Sequence, residues 1–334
     1  MTKVLITAPF PEALIQKVGA VSNQIEIVQI DISRSGWPAD AIADTEVLYA
    51  TSQLPDPDDV PNLRWIQAHW AGVDHLRSHP IWETEIQITT TSGIHAPNIG
   101  QYVMAQILAW SNKVHRWYFY QQQHEWPKDR WGKLLPNDLR GSTIGILGYG
   151  SIGREIARLA RSFGMTVLAT KKDARKLVDD GYVVPGTGDV DGMMAHRIYP
   201  MEATRLVLAD SDYVVVTLPL TKDTEFFIDE QHLRAMKENC FLVNVGRGKL
   251  IKEEELTRAL EKGWIAGAGL DVFEEEPLPA DSPLWSMNNV IISPHISGFT
   301  QHYDDRATDL FAENLRRYVN NEPLLNLVDR NAGY

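Results

Sequence analysis

The stretch Thr143–Gly153 reads TIGILGYGSIG, and the helical pattern of Arg154–Phe163 follows it directly. A short apolar strand, a turn with three glycines and a helix therefore succeed one another in the order that a dinucleotide-binding fingerprint requires. We expect Gly148 to permit the tight turn, Gly150 to let the backbone approach a pyrophosphate, and Gly153 to let helix and strand pack closely. The amides at the helix N-terminus are expected to bind the pyrophosphate. The predicted cofactor contacts of this segment are Gly148, Tyr149, Gly150, Ser151, Ile152 and Gly153.

The next predicted strand, Thr166–Thr170, ends in a pattern that bears on which dinucleotide binds. In a site selective for NAD, an Asp or Glu at this point accepts hydrogen bonds from the adenosine ribose. Here the sequence has Thr170, Lys171 and Lys172, and a hydroxyl with two ammonium groups favours a 2′-phosphate that a carboxylate would repel. The pattern therefore predicts NADP. Two alternatives stay open: the lysines only decorate a solvated strand end, or Asp173 is a displaced ribose acceptor and NAD binds.

The rest of the chain alternates apolar runs with helical patterns. Such alternation is typical of parallel sheets covered by helices, so we predict an α/β fold with two Rossmann-like or flavodoxin-like parallel-sheet domains. Long helices are predicted at Pro97–Lys113 and Gln301–Asn320. The segment Asp179–Pro200 is rich in Gly and Pro and has no clear period, which predicts an inserted surface loop or hairpin. The predicted strands are 3–8, 25–30, 47–50, 63–67 and 86–89, followed by 143–147, 166–170, 213–217, 240–244, 266–270 and 290–293.

Composition limits the class of protein. A length of 334 residues suggests about two domains. The net charge of −12 argues against nucleic-acid and anionic-membrane partners, because neutralising phosphates requires clustered Lys and Arg. Cys240 is the only cysteine, so no internal disulfide is possible, and its apolar neighbours predict a packing role. No stretch reaches the ~18 apolar residues of a membrane span, and Met1–Pro9 lacks a signal-peptide pattern. We expect a cytoplasmic protein.

Three further stretches follow predicted strands and carry polar side chains. They read LVNVGRG at Leu242–Gly248, GLDVFEEEPL at Gly269–Leu278 and SPHISG at Ser293–Gly298. Open α/β sheets bind ligands outside the carboxyl ends of their strands, so Arg247, Glu276 and His295 are expected at one ligand-binding edge. With the glycine fingerprint, these stretches closely resemble the D-isomer-specific 2-hydroxyacid dehydrogenases, and the resemblance runs over nearly the whole chain.

The resemblance implies an NAD(P)-dependent enzyme that interconverts 2-keto acids and D-2-hydroxy acids. Arg247 matches the family's arginine, which binds the substrate carboxylate and polarises the carbonyl; its planar fork suits that task better than a lysine. His295 matches the acid/base that protonates the developing alkoxide, so reduction should decline as pH rises. Glu276 matches the carboxylate that orients the imidazole and favours its charged form. The Glu-Pro adjacency selects Glu276 over Glu274 and Glu275. Each residue alone fits an ordinary surface group, and only the joint pattern predicts catalysis.

Further cofactor contacts are implied by the same resemblance. Asp271 matches an aspartate that contacts the nicotinamide carboxamide, although an aspartate after Gly-Leu also fits a helix cap. The backbone at Val245 and Gly246 is expected to face the nicotinamide. The adenine side is matched by Thr217, Leu218 and Pro219, and the nicotinamide side also by Arg247, His295, Tyr102, Val103 and Gln106.

In the first half, His69–Leu76 reads HWAGVDHL and resembles the family's substrate loop. There the backbone amides near Gly72 and Val73 receive the substrate carboxylate in an anion nest. Ala71 belongs to the same predicted site, and Trp70 is placed to contact the substrate side chain. A plain strand-to-helix turn is the alternative.

The resemblance also implies the domain organisation. It assigns 1–100 with 298–334 to a substrate-binding domain and 101–297 to an NAD(P)-binding Rossmann domain, with the active site in a cleft that closes to expel water. Family members usually dimerise through the cofactor domain, so a homodimer is expected. Its apolar contact is predicted from Trp117, Trp126 and Trp131. An arm tucked against its own chain is the alternative.

The sequence departs from the family pattern at two places. Lys171 stands where an acidic residue is usual, and the segment Asp179–Pro200 is longer than the family leads us to expect. Glu276 argues against formate dehydrogenases, which pair the histidine with Gln. Reduction of glyoxylate-like or hydroxypyruvate-like acids is the leading prediction, and bulkier 2-keto acids and phosphite oxidation stay open. A nucleotide-sensing corepressor on the same scaffold is the alternative from another class. No metal is expected.

Overall fold

The structure is a computed structural model that describes residues 1–51 and 53–333. Residues 52 and 334, both in the predicted substrate-binding domain, lie outside the described residues. The strands are β1 (Thr2–Ile6), β2 (Ile25–Gln29), β3 (Val47–Ala50), β4 (Trp65–Ala68), β5 (Gln87–Thr89), β6 (Thr143–Leu147), β7 (Thr166–Lys171), β8 (Arg197–Pro200), β9 (Tyr213–Val216), β10 (Phe241–Asn244), β11 (Gly267–Leu270) and β12 (Val290–Ile292). The α-helices are α1 (Glu12–Gly19), α2 (Ile32–Ser35), α3 (Ala39–Ala43), α4 (Ala96–Ser111), α5 (Val114–Gln122), α6 (Arg130–Lys133), α7 (Ser151–Ser162), α8 (Thr204–Asp210), α9 (Glu230–Ala235), α10 (Glu253–Lys262) and α11 (Tyr303–Val319).

The first of two compact units comprises Met1–His95, Asp180–Val184 and Thr300–Tyr334. Its five strands are parallel, in the order β2-β1-β3-β4-β5. All four residues of β3 are buried, as expected of a parallel strand covered on both faces. One face packs on α11 through Tyr49, Trp65 and Phe311, and the other is filled by aliphatic residues such as Leu48 and Ile66.

The second unit comprises Ala96–Asp179 and Pro185–Phe299. Its seven parallel strands have the order β12-β11-β10-β9-β6-β7-β8. The strand order reverses between β6 and β9, and in doubly wound sheets this switch point is where a crevice opens at the carboxyl edge. β6 carries the glycine turn at that edge, so the fold places the fingerprint beside the switch point.

These two parallel sheets confirm the predicted fold class. The prediction for Asp179–Pro200 is wrong at its end, because Arg197–Pro200 forms β8 and pairs with β7. This strand has four half-exposed or exposed residues at the edge of the sheet, so it lacks the apolar run by which buried strands are found. Its final Pro200 is tolerated there because an edge strand has no neighbour on one side.

Candidate active site

The glycine turn after β6 is held by its neighbours on both sides. Gly148 has φ +103°, a region that favours glycine, and a Cβ on it would lie 3.1 Å from the Thr217 backbone. The amides of Gly148 and Tyr149 donate to the Thr170 carbonyl at 3.2 and 3.0 Å. The Thr217 hydroxyl donates to the Gly148 carbonyl at 2.7 Å. The ends of β6, β7 and β9 are thus tied into one edge.

The turn has the shape that a dinucleotide requires. A Cβ on Gly153 would lie 2.3 Å from the Gly148 carbonyl oxygen, so only glycine lets the turn and α7 come so close. Gly150 differs, because it is exposed and a Cβ there would meet nothing within 4 Å. Beside this open space α7 begins at Ser151, and its first amides have no partner within the helix. The residues present therefore fit a bound pyrophosphate.

At the end of β7 the lysines and Thr170 differ in exposure. Thr170 is fully buried, and its Oγ1 has no hydrogen-bond partner among the described residues, so its hydroxyl is not open to a ligand in this conformation. Lys171 is half-buried and donates to the Lys176 carbonyl at 2.5 Å. Burial, and secondly the charge of Arg154, lower the pKa of Lys171. Lys172 is exposed. Contact of these residues with a 2′-phosphate stays a prediction.

The loops after β9 and β10 touch each other. Gly246 is packed so closely that a Cβ would lie 2.9 Å from the Leu218 carbonyl oxygen. Val245 and Leu218 are buried, whereas Pro219 is exposed. The structure therefore places the predicted adenine-side and nicotinamide-side segments on adjacent strand ends.

Arg247 follows β10 in a loop clamped by Asn244. The Asn244 side chain accepts from the Gly246 amide at 3.1 Å and donates to the Arg247 carbonyl at 3.0 Å. Arg247 is half-buried, and its guanidinium donates to the Gly246 carbonyl at 2.9 Å. Gly248 has no room for a Cβ, which would lie 1.8 Å from the Phe273 carbonyl group. The Arg247 loop therefore rests directly on the loop that leads to Glu276.

Glu276 and His295 form a hydrogen-bonded pair. Glu276 Oε2 lies 2.7 Å from His295 Nδ1, and Glu276 Oε1 accepts from the Phe273 amide at 3.0 Å. The second contact fixes the carboxylate, so its direction does not depend on the imidazole. The side chains of His295 and Glu276 are 46% and 36% exposed, so both are accessible to solvent. Because a carboxylate accepts at Nδ1, the Nδ1 position carries the proton and Nε2 is the nitrogen left for proton exchange with a ligand.

The loop that carries His295 is organised by the fully buried Asp271. Its Oδ1 accepts from the Ser293 hydroxyl at 2.5 Å and from the Ile296 amide at 3.0 Å, and its Oδ2 accepts from the Ser297 amide at 3.0 Å. His295 has φ +49°, an uncommon conformation for a residue with a side chain, and its amide donates to the Asp271 carbonyl at 2.9 Å. In this structure Asp271 therefore holds the loop that carries His295, and its contact with the nicotinamide stays a prediction.

Helix α4 supports the same loop. The Tyr102 hydroxyl lies 2.5 Å from Ser293 Oγ, and Gln106 donates to that hydroxyl at 2.8 Å. Asn98 donates to the Ser297 carbonyl at 2.7 Å. Val103 is fully buried in the hydrophobic core. The structure thus gives Tyr102 and Gln106 a supporting role beneath the loop and gives Val103 a packing role.

The predicted substrate loop lies in the first unit. Trp70 is half-buried, with its ring 4.8 Å from the His69 ring and 6.2 Å from the Tyr303 ring. Ala71 is exposed, Gly72 is half-buried and Val73 is buried. Within residues 1–51 and 53–333, the amides of Gly72 and Val73 donate to no protein acceptor. Two adjacent amides without a protein acceptor, one of them from a glycine, are the elements of an anion-binding nest.

Sequence reasoning missed several residues that hold the site. Asn244 precedes Val-Gly-Arg at the end of a buried apolar strand, and a polar residue in that position was a usable signal. Ser293 and Asn98 gave no comparable signal, because their partners are distant in the chain. In the described part of the chain, no cluster of His, Cys, Asp and Glu suits a metal ion. No described helix has the length and hydropathy to cross a bilayer.

Comparison with known proteins identifies the family. Residues 104–297 match the family described as "D-isomer specific 2-hydroxyacid dehydrogenase, NAD binding domain". A glyoxylate reductase of Korarchaeum cryptofilum is 31% identical over 342 residues, covering 98% of this chain and 96% of the relative. A glyoxylate reductase of Thermococcus kodakarensis is 30% identical over 348 residues, with the same coverage of 98% and 96%.

Two solved structures extend the comparison. A D-isomer specific 2-hydroxyacid dehydrogenase family protein of Aeromonas salmonicida has a TM-score of 0.81 and 29% identity, covering 98% of this chain and 99% of that one. A D-isomer specific 2-hydroxyacid dehydrogenase of Xanthobacter autotrophicus, in complex with NADPH and MES, has a TM-score of 0.81 and 25% identity, covering 100% and 99%. The predicted family, enzyme class and nicotinamide cofactor are confirmed. This chain belongs to the D-isomer-specific 2-hydroxyacid dehydrogenase family of oxidoreductases.

Proposed function

We propose that this protein reduces small 2-keto acids of the glyoxylate or hydroxypyruvate type to D-2-hydroxy acids, with NADPH as the preferred reductant. The observation that carries the proposal is the His295–Glu276 pair, joined at 2.7 Å and half-exposed at the carboxyl edge of the sheet. The relatives named glyoxylate reductase support the substrate class. The NADPH-bound relative supports the cofactor.

His295 is the general acid of the proposed reaction. Glu276 accepts from Nδ1 and stabilises the imidazolium, so Nε2–H is the group that gives its proton to the alkoxide oxygen as the carbonyl is reduced. In the oxidative direction the neutral imidazole takes the same proton back. Reduction therefore requires the protonated ring and declines as pH rises.

Arg247 binds the substrate. Its guanidinium is planar and permanently charged, so it pairs with a carboxylate and polarises the adjacent carbonyl oxygen. Asn244 and Gly248 hold its loop against the Glu276 loop. In the first unit, Trp70–Val73 are proposed to contact the substrate, and the unpaired amides of Gly72 and Val73 support a role in carboxylate binding.

A bound NADPH supplies the hydride. The glycine turn holds its pyrophosphate at the N-terminus of α7, and Thr217–Pro219 line the adenine side. Val245 and Gly246 face the nicotinamide. Lys171 and Lys172 bind the 2′-phosphate, which an acidic residue at this position would repel.

The reaction class is tested by following the loss of reduced-nicotinamide absorbance with glyoxylate and hydroxypyruvate, using NADPH and NADH in parallel. Turnover that is fast with NADPH and slow with NADH is expected. Turnover that favours NADH would leave the keto-acid reduction standing and reject the NADP preference. If neither acid is reduced, bulkier 2-keto acids and, in the oxidative direction with NADP⁺, phosphite are the next substrates, and failure with all of them rejects the proposed reaction.

The lysine assignment has its own test. Replacing Lys171 and Lys172 with Ala removes up to two charge-assisted contacts, each of about 1.5–3 kcal/mol, so KM for NADPH should rise at least about tenfold. KM for NADH should stay within about twofold. Lys262→Ala, at the exposed end of α10, is the matched control and should change neither value. An equal rise for both cofactors would contradict the assignment.

A homodimer is the proposed assembly, with the aromatic arm (residues 114–135) at its interface. Helix α5 has no buried residue, and Trp126 and Trp131 are 82% and 71% exposed. Apolar exposure of this kind marks interaction surfaces. Light scattering should show a dimer that Trp126→Ser with Trp131→Ser weakens, whereas Trp285→Ser, also exposed, leaves it intact. A wild-type monomer at micromolar concentration would overturn the proposal.

A further inference from the structure

Between β7 and β8, the residues 173–179 and 185–196, here called the insertion, belong to the second unit. Its two stretches lie together, because the Asp179 amide donates to the Val190 carbonyl at 2.9 Å. Gly192 packs so closely on the Leu177 backbone that a Cβ would lie 2.8 Å from that carbonyl oxygen. The insertion is therefore a folded part of the unit, and it begins at the strand end that carries Lys171.

Helix α7, which follows the glycine turn, contacts the insertion through Arg154. The side chain of Arg154 is only 1% exposed. Its guanidinium donates to the carbonyls of Asp189 and Leu177, both at 2.5 Å, and its Nε lies 3.4 Å from an Asp179 carboxylate oxygen. It also lies 5.0 Å over the Tyr149 ring. A buried charge needs such partners, and within the described residues both carbonyls that accept hydrogen bonds from this guanidinium belong to the insertion.

A second set of hydrogen bonds joins the insertion to the glycine turn itself. The Asp189 carboxylate is buried and accepts from the Tyr149 hydroxyl at 2.6 Å, the Met193 amide at 2.8 Å and the Met194 amide at 2.9 Å. Tyr149 stands between Gly148 and Gly150, so its hydrogen bond to Asp189 connects the insertion to the glycine turn. Next to Arg154, Glu155 accepts from the Gly188 amide at 2.6 Å.

The third link involves the residue proposed to bind the 2′-phosphate. Lys171 donates to the Lys176 carbonyl of the insertion at 2.5 Å, which fixes where its ammonium group lies. Burial lowers the pKa of Lys171 most; the charges of Arg154 and Lys176 lower it further, whereas those of Asp179 and Asp173 raise it. A dianionic phosphate beside Lys171 would relieve this repulsion.

We propose that the insertion forms one side of the binding site for the adenosine 2′-phosphate. Tyr149 and Asp189 are positioning residues, because the hydrogen bond between them holds the insertion against the glycine turn. The inference rests on the proposed NADP preference and goes beyond it, because it assigns specificity to the hydrogen bond between the Tyr149 hydroxyl and the Asp189 carboxylate. Breaking the Tyr149–Asp189 hydrogen bond weakens binding of the 2′-phosphate more than binding of the rest of the nucleotide.

The test uses two ligand fragments, adenosine 2′,5′-bisphosphate and adenosine 5′-monophosphate, which differ only in the 2′-phosphate. Tyr149→Phe deletes one hydroxyl and keeps the packed ring. Titration calorimetry on the full chain should show about tenfold weaker binding of the bisphosphate, the expected cost of one buried hydrogen bond to a carboxylate, and less than threefold weaker binding of the monophosphate. Tyr213→Phe is the matched control, a buried tyrosine at the amino end of β9, and should change neither.

Two further readouts separate positioning from a merely structural role. Asp189→Asn should raise KM for NADPH about tenfold and leave kcat at saturating NADPH within about twofold, because the reacting groups are untouched. Hydrogen exchange at the Met193 and Met194 amides should slow when the wild-type protein binds the bisphosphate, and should slow less with the monophosphate.

The outcomes distinguish the inference from its premise. If the wild-type protein binds both fragments equally, the proposed NADP preference fails and the inference fails with it. If the wild-type protein prefers the bisphosphate and Tyr149→Phe keeps the same ratio of affinities, only the inference is overturned. Unchanged exchange at Met193 and Met194 on binding would also overturn it. Asp189→Asn, which keeps the size of the side chain, is the second variant and should lower the same ratio.

Discussion

Two charged clusters in the second unit use similar side chains and differ in burial. The Glu276–His295 pair has side chains that are 36% and 46% exposed, whereas the Arg154 side chain is 1% exposed and Asp189 is 5% exposed. Glu276 holds one ring nitrogen of His295 and a single backbone amide. Asp189 accepts three hydrogen bonds through its carboxylate and two more through its carbonyl, from the Arg154 guanidinium and the Gly192 amide.

The difference in burial shows how similar charged side chains can either take part in a reaction or make part of the structure rigid. An exposed pair keeps a proton within reach of solvent and ligand, and contributes little to the free energy of unfolding. A buried cluster joined by several hydrogen bonds resists a change of partner, because breaking it leaves a desolvated charge. Substitutions in the first cluster should therefore change rates, and substitutions in the second should change stability.

The largest expected effect is on the rate. His295→Asn removes the general acid, so kcat for keto-acid reduction should fall by about 10²–10⁴. The midpoint of thermal unfolding should hardly move, because the side chain is half-exposed. His302→Asn, at an exposed position, is the control and should keep full activity. If the loss of rate is matched by a loss of folded protein, His295 contributes to stability and not only to the reaction.

The next effect is on stability. Arg154→Met leaves the carbonyls of Leu177 and Asp189 and the Asp179 carboxylate without their cation, so the free energy of unfolding should fall by about 3–5 kcal/mol. Denaturant titration measures this loss. Arg205→Met, an exposed arginine bonded to Gln231, should cost less than about 1 kcal/mol. If both variants lose the same free energy of unfolding, the burial of Arg154 does not determine its contribution to stability.

Asp271 combines features of both clusters, because it is buried and also supports the loop of His295. It is as buried as Asp189, yet its three donors build the loop of His295. Asp271→Asn should cost about 1–3 kcal/mol of stability and should lower kcat about 10–100-fold by misplacing the imidazole. Asp212→Asn, at the amino end of β9, should lower stability alone. A rise in KM for the cofactor with unchanged kcat would instead indicate the nicotinamide contact implied by the family.

How much of the molecule was predictable depends on how far apart the interacting residues lie in the chain. The glycine turn, Arg247 and the Glu-Pro motif are local patterns that follow strands, so the sequence and its resemblance to the family are enough to predict them as parts of the site. The Tyr149–Asp189 and Arg154–Asp189 contacts span 40 and 35 residues and leave no periodic signal. Asp189 lies between Gly188 and Gly192, near the exposed Asp191, in a stretch without periodicity, and only the folded chain shows its burial.

The domain division illustrates the same limit. Boundaries near 100 and 298 were predicted from the resemblance, and the two compact units change at His95–Ala96 and Phe299–Thr300. Residues Asp180–Val184 belong to the first unit, where the Tyr182 amide donates to Asn326 at 3.0 Å. Nothing in the sequence of this segment distinguishes it from the residues around it, because its membership is set by a partner 144 positions away.

The smallest effect compares the exposed His295 with a buried imidazole in the first unit. His69 is 9% exposed and its Nδ1 lies 2.7 Å from the Tyr49 hydroxyl. Burial lowers the pKa of His69 to about 4, against about 6.5 in an unfolded chain. Between these values the unfolded state binds more protons than the folded state, so stability rises with pH across this window and falls on acidification.

From pH 7 to pH 5 the loss attributable to His69 is about 2 kcal/mol, and it grows to about 3 kcal/mol below pH 4. His69→Gln keeps an acceptor for Tyr49 without a titrating group, so its unfolding free energy should depend less on pH by that amount. His302→Gln should keep the wild-type dependence, because the position is exposed. If His69→Gln keeps the full pH dependence, acid sensitivity arises elsewhere and burial does not divide the two histidines. If the unfolding free energy of His69→Gln depends less on pH, burial makes His69 destabilising in acid, whereas the exposed His295 is able to exchange its proton.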